Sequence, residues 1–487
     1  MSASHTYHRL TNYSPERPWH EPLDDPRLVT GFEICDKDRR PPEFKTYDEG
    51  LPVVDLPVDL PRHPLPATAV LGGATAAGRH DLTLAELARL LYYSGGIVRY
   101  RDTADGRVHY RAAGSAGNRH PLELYAVTSG LAGLPGGVWH HDPLGHRLRH
   151  IAPAPARDGA TFLVVTGVPW RAAWKYAERA WRHLWWDCGT LLAQLLALAD
   201  AAGLPARLQL AFPDQAVATL VGADDVDEFP LALVVLADGE PALTPTSQAQ
   251  HGKLVNDPTR FPLITAIQQA TESATCWPTT IPRARRAPAV PPLPSRLTLE
   301  DVVLRRGSAR RFDTHATLPL SAVTWAMAVA TRPVRWDAGP SLLHHHLILH
   351  SVDKTRPGIH RWRDGHLAPV STGDQRQATH HYCLGTDLAR DAAWLAIHGT
   401  DLSATLDRLG ERGYRAAGLE AGLVTGRLHL AAHALGHAAT GLVVNDELTP
   451  AFLRSDTTTL LSTALGLRVH QTTPGGTPRR PARLRPG

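Results

Sequence analysis

The 487-residue chain carries 43% hydrophobic side chains, enough for two ordinary domain cores, and no segment approaches the ~18 uninterrupted apolar residues that a membrane helix needs. Its first fifteen residues, MSASHTYHRLTNYSP, lack a basic start followed by an apolar run, so a soluble, cytoplasmic protein with no membrane partner is expected. The formal charge of +4 equals the four arginines Arg479, Arg480, Arg483 and Arg485 at the end, which leaves a near-neutral body and argues against a nucleic-acid partner.

Residues 1–65 are rich in proline and aromatic residues and read as an extended amino-terminal arm that wraps something. A first domain is expected over 66–240. It holds a helix in TLAELARLLYYSGG, strands at LELYAVTS and TFLVVTGV, the long apolar helix AWRHLWWDCGTLLAQLLALADAAGL closed by Gly203, and a last strand at PLALVVLA. Residues 277–296, WPTTIPRARRAPAVPPLPSR, are proline-rich and read as an extended linker that also carries Arg283, Arg285 and Arg286.

The second domain, 297–472, repeats the order: helices in LEDVVLRRG and LSAVTWAMAVA, a strand at HHLILHSV, the long helix RGYRAAGLEAGLVTGRLHLAAHALG and a terminal TALGLRVHQ. A Pro/Gly-rich tail over 473–487 is expected to be disordered. The fold class expected is α+β, in two sheet domains flanked by helices.

The two domains are copies. Gly-Gly-Ala-Thr-Ala-Ala at 72–77 stands where the second half has Arg-Arg-Gly-Ser-Ala-Arg at 305–310, an offset of 233 residues. The same offset carries Glu178, Arg179, Arg182, Gly189 and Gly203 onto Glu411, Arg412, Arg415, Gly422 and Gly436. Small residues along the second long helix (Gly418, Ala421, Gly422, Gly426) call for a close partner, and the other copy is the natural one, in an intramolecular pseudo-dimer.

Arg306, Ser308 and Arg310 alternate at the end of a short helix, and could either aim two guanidinium forks and a hydroxyl at a phosphate monoester or form a solvated turn. The run Arg111-Ala-Ala-Gly-Ser-Ala-Gly-Asn-Arg-His-Pro121 is a glycine-rich loop entering a strand, able to lie against a flat ring, but it is neither a GxGxxG nor a Walker loop. His344, His345 and His346 invite a metal reading. In a strand only His344 and His346 share a face, and no carboxylate or cysteine stands nearby, so no metal is expected. Cys35, Cys188, Cys276 and Cys383 are too scattered for a disulfide framework or zinc ribbon. The tryptophans Trp170, Trp174, Trp181, Trp185 and Trp186 suit packing first, with an aromatic wall over a ligand ring as the alternative.

Taken in order, these motifs resemble the nitroreductase-like flavin enzymes, and among them the SagB/ThcOx-type peptide dehydrogenases. YHRLTNYSPER and PPEFKTYDEGLPVVDLP resemble that subfamily's amino-terminal arm, and RAAGSAGNRHPLELYAV resembles its Arg-x-x-Pro-Ser-Ala-Gly-x-x-x-Pro segment, with Gly114 where the family has Pro. PGGVWHHDPLGHRL and PGIHRWRDGHL resemble its hairpin, and WKYAERAWRHLWWDCG is similar to the Trp-Lys-Tyr-x-x-Arg-x-x-Arg helix of the azoline oxidases. The resemblance implies FMN at the interface between copies. Arg306, Ser308, Arg310 and Gly441 would come from the second copy, with Ser115, Gly117 and Asn118 from the first. The other possible site, with Gly73, Thr75 and Ala77 against Pro340-Ser341-Leu342-Leu343, lacks both guanidiniums, so one FMN per chain is expected.

The resemblance further makes Lys175 and Tyr176 the catalytic pair, which the second copy replaces with Arg408 and Leu409. The bland reading of the pair is that it caps and packs a helix start. The implied activity is oxidation of thiazolines or oxazolines to thiazoles or oxazoles in a ribosomally made precursor peptide, with oxygen reoxidising the flavin and a cyclodehydratase as partner. A flavin oxidoreductase of another substrate and a flavin-free scaffold subunit are the alternatives.

Overall fold

In the computed structural model the described residues are 2–15, 25–76, 80–255, 257–275, 277, 288–470 and 472–484. Ala77, Cys276, the linker arginines Arg283, Arg285 and Arg286, and Arg485 therefore lie outside the described residues. Strands of the first half are β1 (Val53–Asp55), β2 (Ile97–Thr103), β3 (Gly106–Arg111), β4 (Leu122–Leu131), β5 (Leu134–Asp142), β6 (Arg147–Ala152), β7 (Phe162–Gly167), β8 (Arg207–Gln209) and β9 (Phe229–Val235). Those of the second are β10 (His344–Leu349), β11 (Gly358–Arg363), β12 (His366–Thr372), β13 (Trp394–Thr400), β14 (Ala438–Leu442), β15 (Thr458–Gly466) and β16 (Ala482–Arg483).

Two antiparallel sheets follow, ordered β1-β6-β5-β4-β7-β9-β8 and β12-β11-β10-β13-β15-β14. Without β1 the two orders coincide strand for strand. The middle strand β7, FLVVTG, is buried along its whole length because both faces are covered. Leu163 and Val165 face the helical core, while Phe162 and Val164 pack in a second cluster with the helix Asp214–Val221.

The centre of the molecule is a pair of long helices, Ala180–Ala201 and Arg412–Ala434, one from each copy. A side chain on Gly189 would collide with the backbone of Leu419 and Leu423, and one on Gly422 with the backbone of Trp186. Trp185 packs on Gly418, and Thr190 and Ala193 on Gly426. The Gly189–Leu419 contact recurs at the 233 offset as Gly422–Trp186, and Trp185–Gly418 and Ala193–Gly426 each join residues one offset apart, which is the signature of a two-fold axis through the Gly189–Gly422 crossing.

Charge follows the same symmetry. Arg179 and Arg182 donate across the interface to Asp446, each at 3.0 Å, and Arg412 and Arg415 donate to Asp214, the latter at 2.7 Å. A backbone N–H completes each carboxylate's shell, from Tyr13 onto Asp446 and from Ser273 onto Asp214. All six side chains are buried, so each clamp exchanges three lost hydrations for charge-assisted hydrogen bonds.

The chain termini differ from expectation. The arm contains a helix, Ala3–Leu10, whose first N–H groups are taken by Glu411, with Ser4 donating at 2.9 Å. Its Tyr7 ring packs edge-on against Trp181 at 5.3 Å. Lys45 of the arm is buried and donates to Glu228 at 2.5 Å. The tail expected to be disordered is ordered through residue 484: β16 adds in parallel to β2, Leu484 donates to the Tyr100 carbonyl at 2.8 Å, and Arg479 pairs with Asp55 at 2.5 Å. Composition missed this because the ordering partner is the edge of the other copy's hairpin, which offers unpaired backbone groups. Of the proline-rich linker, residues 278–287 lie outside the described residues, and Val290 donates to the Gly72 carbonyl at 2.8 Å.

Candidate active site

The glycine-rich loop after β3 is built around one buried carboxylate. Ser115 Oγ donates to Asp187 Oδ2 at 2.5 Å and the Ala116 N–H to Asp187 Oδ1 at 3.0 Å, while the His120 N–H donates to Ser115 Oγ at 2.8 Å. Asn118 donates through Nδ2 to the His109 carbonyl at 2.9 Å. Gly117 and Asn118 both hold φ near 58°, a tight left-handed step that glycine and asparagine accept most readily. Burial pushes the Asp187 carboxyl up to about 7. Its offset partner in the second copy is Glu420, which accepts from the Leu342 N–H at 2.8 Å and does the same anchoring for the other loop.

Lys175 and Tyr176 end the helix Pro169–Tyr176, which Ala177 breaks with φ 46° before the central helix starts. The break turns both side chains onto the loop. A side chain on Gly117 would begin 2.7 Å from Tyr176 Oη and 2.9 Å from Lys175 Cδ, so the glycine is what lets the pair approach. Tyr176 stacks on His183 with centroids 4.0 Å apart, and Trp186 closes the other side of that imidazole at 4.7 Å. Burial, with Asp187 next, holds the Tyr176 phenol well above its usual range, so it stays protonated. Neither ring nitrogen of His183 has a hydrogen-bond partner among the described residues, and burial with the Arg179 and Arg182 charges keeps the ring neutral.

From the second copy, the helix Leu299–Arg305 is fixed at its start by a Thr298/Asp301 capping box and ends at Arg306. Arg306 crosses the interface: Nε and Nη2 donate to the Ala112 carbonyl at 3.1 and 2.9 Å, and Nη1 lies 3.2 Å from where a side chain on Gly114 would start. Burial, and then Arg99, lowers its guanidinium to about 10. Ser308 bridges Ala439 of β14, and its hydroxyl has no partner among the described residues. Arg310 is exposed and likewise unpaired among them. Gly441, further along β14, is exposed too, with no atom nearer than 3.9 Å to where its side chain would begin. Two groups of predicted residues are brought together: Gly117 with Lys175 and Tyr176, and Arg306 with the loop at Ala112 and Gly114, while Ser308 lies beside Ala439 on the strand that carries Gly441. Ser115 and Asn118 are committed to holding their own loop, and two of the three nitrogens of Arg306 hold that loop to the second copy.

The opposite cleft is filled. The guanidinium of Arg332 occupies the space beside Gly73 and donates to the Leu71 carbonyl at 3.2 Å, as its offset counterpart Arg99 does to that of Leu304. Leu342, Leu343 and Leu409 are buried, and Arg408 donates to the Pro340 carbonyl at 3.1 Å. Gly441 faces Thr463 in its ladder and Leu208 faces Val234 in the equivalent ladder, so buried Leu208 stands where the first cleft is open.

The free guanidinium of Arg310, the unpaired Ser308 hydroxyl and the gap at Gly441 fit a flat ligand with a phosphate. No group of three metal-ligating side chains occurs among the described residues. The five tryptophans are buried; Trp181 stacks on Tyr414 at 5.5 Å and Trp185 abuts Gly418, both across the copy interface. Sequence reasoning missed Asp187, although a carboxylate recurs at Glu420 under the same offset, and it missed His183, which has only Ala416 opposite it.

Comparison with known proteins then places the fold. Residues 81–238 match the nitroreductase family. A solved structure from Anabaena variabilis described as a nitroreductase is 21% identical, with a TM-score of 0.74 over 96% of this chain and 100% of that one. That likeness establishes a nitroreductase-like fold for both halves. A nitroreductase-described structure from Ralstonia eutropha (18% identical, TM-score 0.32, 40% of this chain and 94% of that one) also matches. So does the E. coli microcin synthetase McbBCD complex with truncated pro-MccB17 (18%, TM-score 0.28, 45% and 79%). No curated protein matches the chain. Among the described residues no helix is long and apolar enough to cross a membrane.

Proposed function

We propose that the chain is an FMN-dependent dehydrogenase that oxidises thiazolines or oxazolines to thiazoles or oxazoles in a ribosomally made precursor peptide, at one composite site between its copies. The observation that carries this reading is the meeting of Lys175 and Tyr176 with Gly117 on the loop that Arg306 ties in from the other copy. Arg310 and Ser308 would hold the phosphate, and the backbone at Gly117 and Gly441 would flank the ring.

Aromatising an azoline removes a hydride and a proton from carbon. Bound FMN would supply the hydride acceptor. Lys175 would take the proton. Tyr176, whose phenol burial holds protonated, would donate a hydrogen bond. The stacked His183 and Trp186 hold that phenol in one orientation. A cyclodehydratase that makes the azoline would be the partner upstream.

The test is the flavin released per chain on denaturation, followed by assay of an azoline-bearing peptide. About one FMN is expected. Lys175→Ala should keep the FMN while oxidation falls by at least about a hundredfold. Absence of FMN after reconstitution sinks the enzyme reading, and wild-type oxidation by Lys175→Ala removes the base.

A further inference from the structure

Behind Gly441 the second copy carries a buried chain of hydrogen bonds. His345 and His398 meet through their Nδ1 atoms at 3.0 Å, His398 Nε2 lies 3.4 Å from Thr463 Oγ1, and Thr463 donates to Thr425 Oγ1 at 3.0 Å. The direction of the last bond fixes the others. Thr463 has one proton and gives it to Thr425, so His398 must donate from Nε2, which leaves its Nδ1 to accept from His345. Both imidazoles are neutral, since burial lowers them. The chain ends on the Thr425 hydroxyl proton, which has no acceptor among the described residues. The helical threonines Thr219 and Thr324 donate back along their helices; Thr425 does not.

The last residue of the chain borders the gap. Thr463 is the cross-strand partner of Gly441, and the Thr425 methyl is the atom closest to where a Gly441 side chain would begin, at 3.9 Å.

The first copy shows that the fold does not need this polarity. His345 pairs with His398 as Leu124 pairs with Val165, Thr463 faces Ala396 as Val234 faces Leu163, and Thr425 sits 233 residues after Leu192. Four polar side chains and a gap in one copy are Leu124, Val165, Val234, Leu192 and Leu208 in the other, all buried. Burying four polar groups costs free energy that an apolar set avoids, so their presence only beside the open cleft calls for a ligand-linked reason.

We propose that Thr425 is a ligand-contacting donor at the Gly441 gap, oriented by the His345–His398–Thr463 chain toward the polar edge of a bound flavin ring. The inference rests on the FMN reading and deepens it. Thr425 is the contacting residue; the two histidines and Thr463 are positioning residues.

The test titrates FMN into flavin-free full-length chain and records the dissociation constant and the visible spectrum of bound flavin. Thr425→Val, which keeps the shape and removes the hydroxyl, should weaken FMN about five- to tenfold and shift the spectrum. Thr425→Ser should restore both. His398→Val, the residue of the first copy, should move affinity and spectrum in the same direction by less. Thr425→Val with wild-type affinity and an unchanged spectrum overturns the proposal while the cofactor reading stands. A wild-type chain that binds no FMN overturns both.

Discussion

The two clefts between the copies share their scaffold and differ in what they leave free. In both, a buried carboxylate, Asp187 or Glu420, anchors a loop, and an arginine, Arg99 or Arg332, ties a helix end to its neighbour. Only in one do Arg310, Ser308, Lys175 and Gly441 stand with uncommitted groups or open space. In the other, buried Leu208 stands at the position of Gly441 and buried Leu409 at that of Tyr176. Duplication preserved the groups that pack and clamp, whereas the groups able to meet a ligand diverged.

The clamps should give the largest effect, because they are buried and doubled. Asp446→Asn and Asp214→Asn each leave two buried guanidiniums short of a carboxylate, and each should cost about 3–5 kcal/mol by denaturant unfolding. Near-equal losses would support a two-fold scaffold; a cost at one site alone would break it. Asp446 adds a pH signature. Arg179 and Arg182 overcome its desolvation and hold it down at about 2, below its usual 3.8. Its stabilisation is therefore present above pH ~4 and lost as the pH falls toward ~2.

Next comes the helix crossing. Gly422→Ala puts a carbon against the Trp186 backbone, which no rotamer change relieves, and should cost about 1–3 kcal/mol in thermal unfolding. Gly189→Ala should match it, since its carbon meets the Leu419 backbone. A neutral result at either position would mean that the two helix backbones are not in contact at this crossing.

Arg310→Ala sharpens the contrast between clefts without touching the scaffold. The side chain is exposed and unpaired among the described residues, so folding should not change, while FMN affinity should drop about 10- to 100-fold. Gly73→Arg should gain nothing, because Arg332 and Leu208 already occupy that cleft.

The duplication was legible because packing glycines and clamp arginines recur at one offset, and the strands because apolar runs bounded by turns are strong local signals. The tail was not legible: its order comes from β2, nearly 400 residues away in sequence. The arm helix escaped for the same reason, being capped by Glu411 of the other copy. At the site, the resemblance, and not residue types alone, pointed to Lys175, Tyr176 and Arg310. That Ser115 and Asn118 are spent on their own loop, and Arg306 largely on the Ala112 carbonyl, depends on geometry that spacing does not encode.

The Asp187 effect is read as a slope with pH, and its sign is opposite to that of Asp446. Burial raises this carboxyl to about 7, so the folded chain keeps a proton there that the unfolded chain, near 3.8, has lost. Between those values the native state binds more protons than the unfolded one, and this group's contribution to stability falls as the pH rises from about 4 to about 7. Asp187→Asn cannot ionise and should lose that slope. Relative to wild type, the variant should therefore gain stability across the window and run parallel to it above. The neutral side chain still offers one oxygen to Ser115 and Ala116, so the loop should survive. A difference between wild type and Asp187→Asn that stays flat from pH 4 to pH 7 would show that Asp187 is ionised throughout, and that two donors suffice to hold a charge at the floor of this cleft.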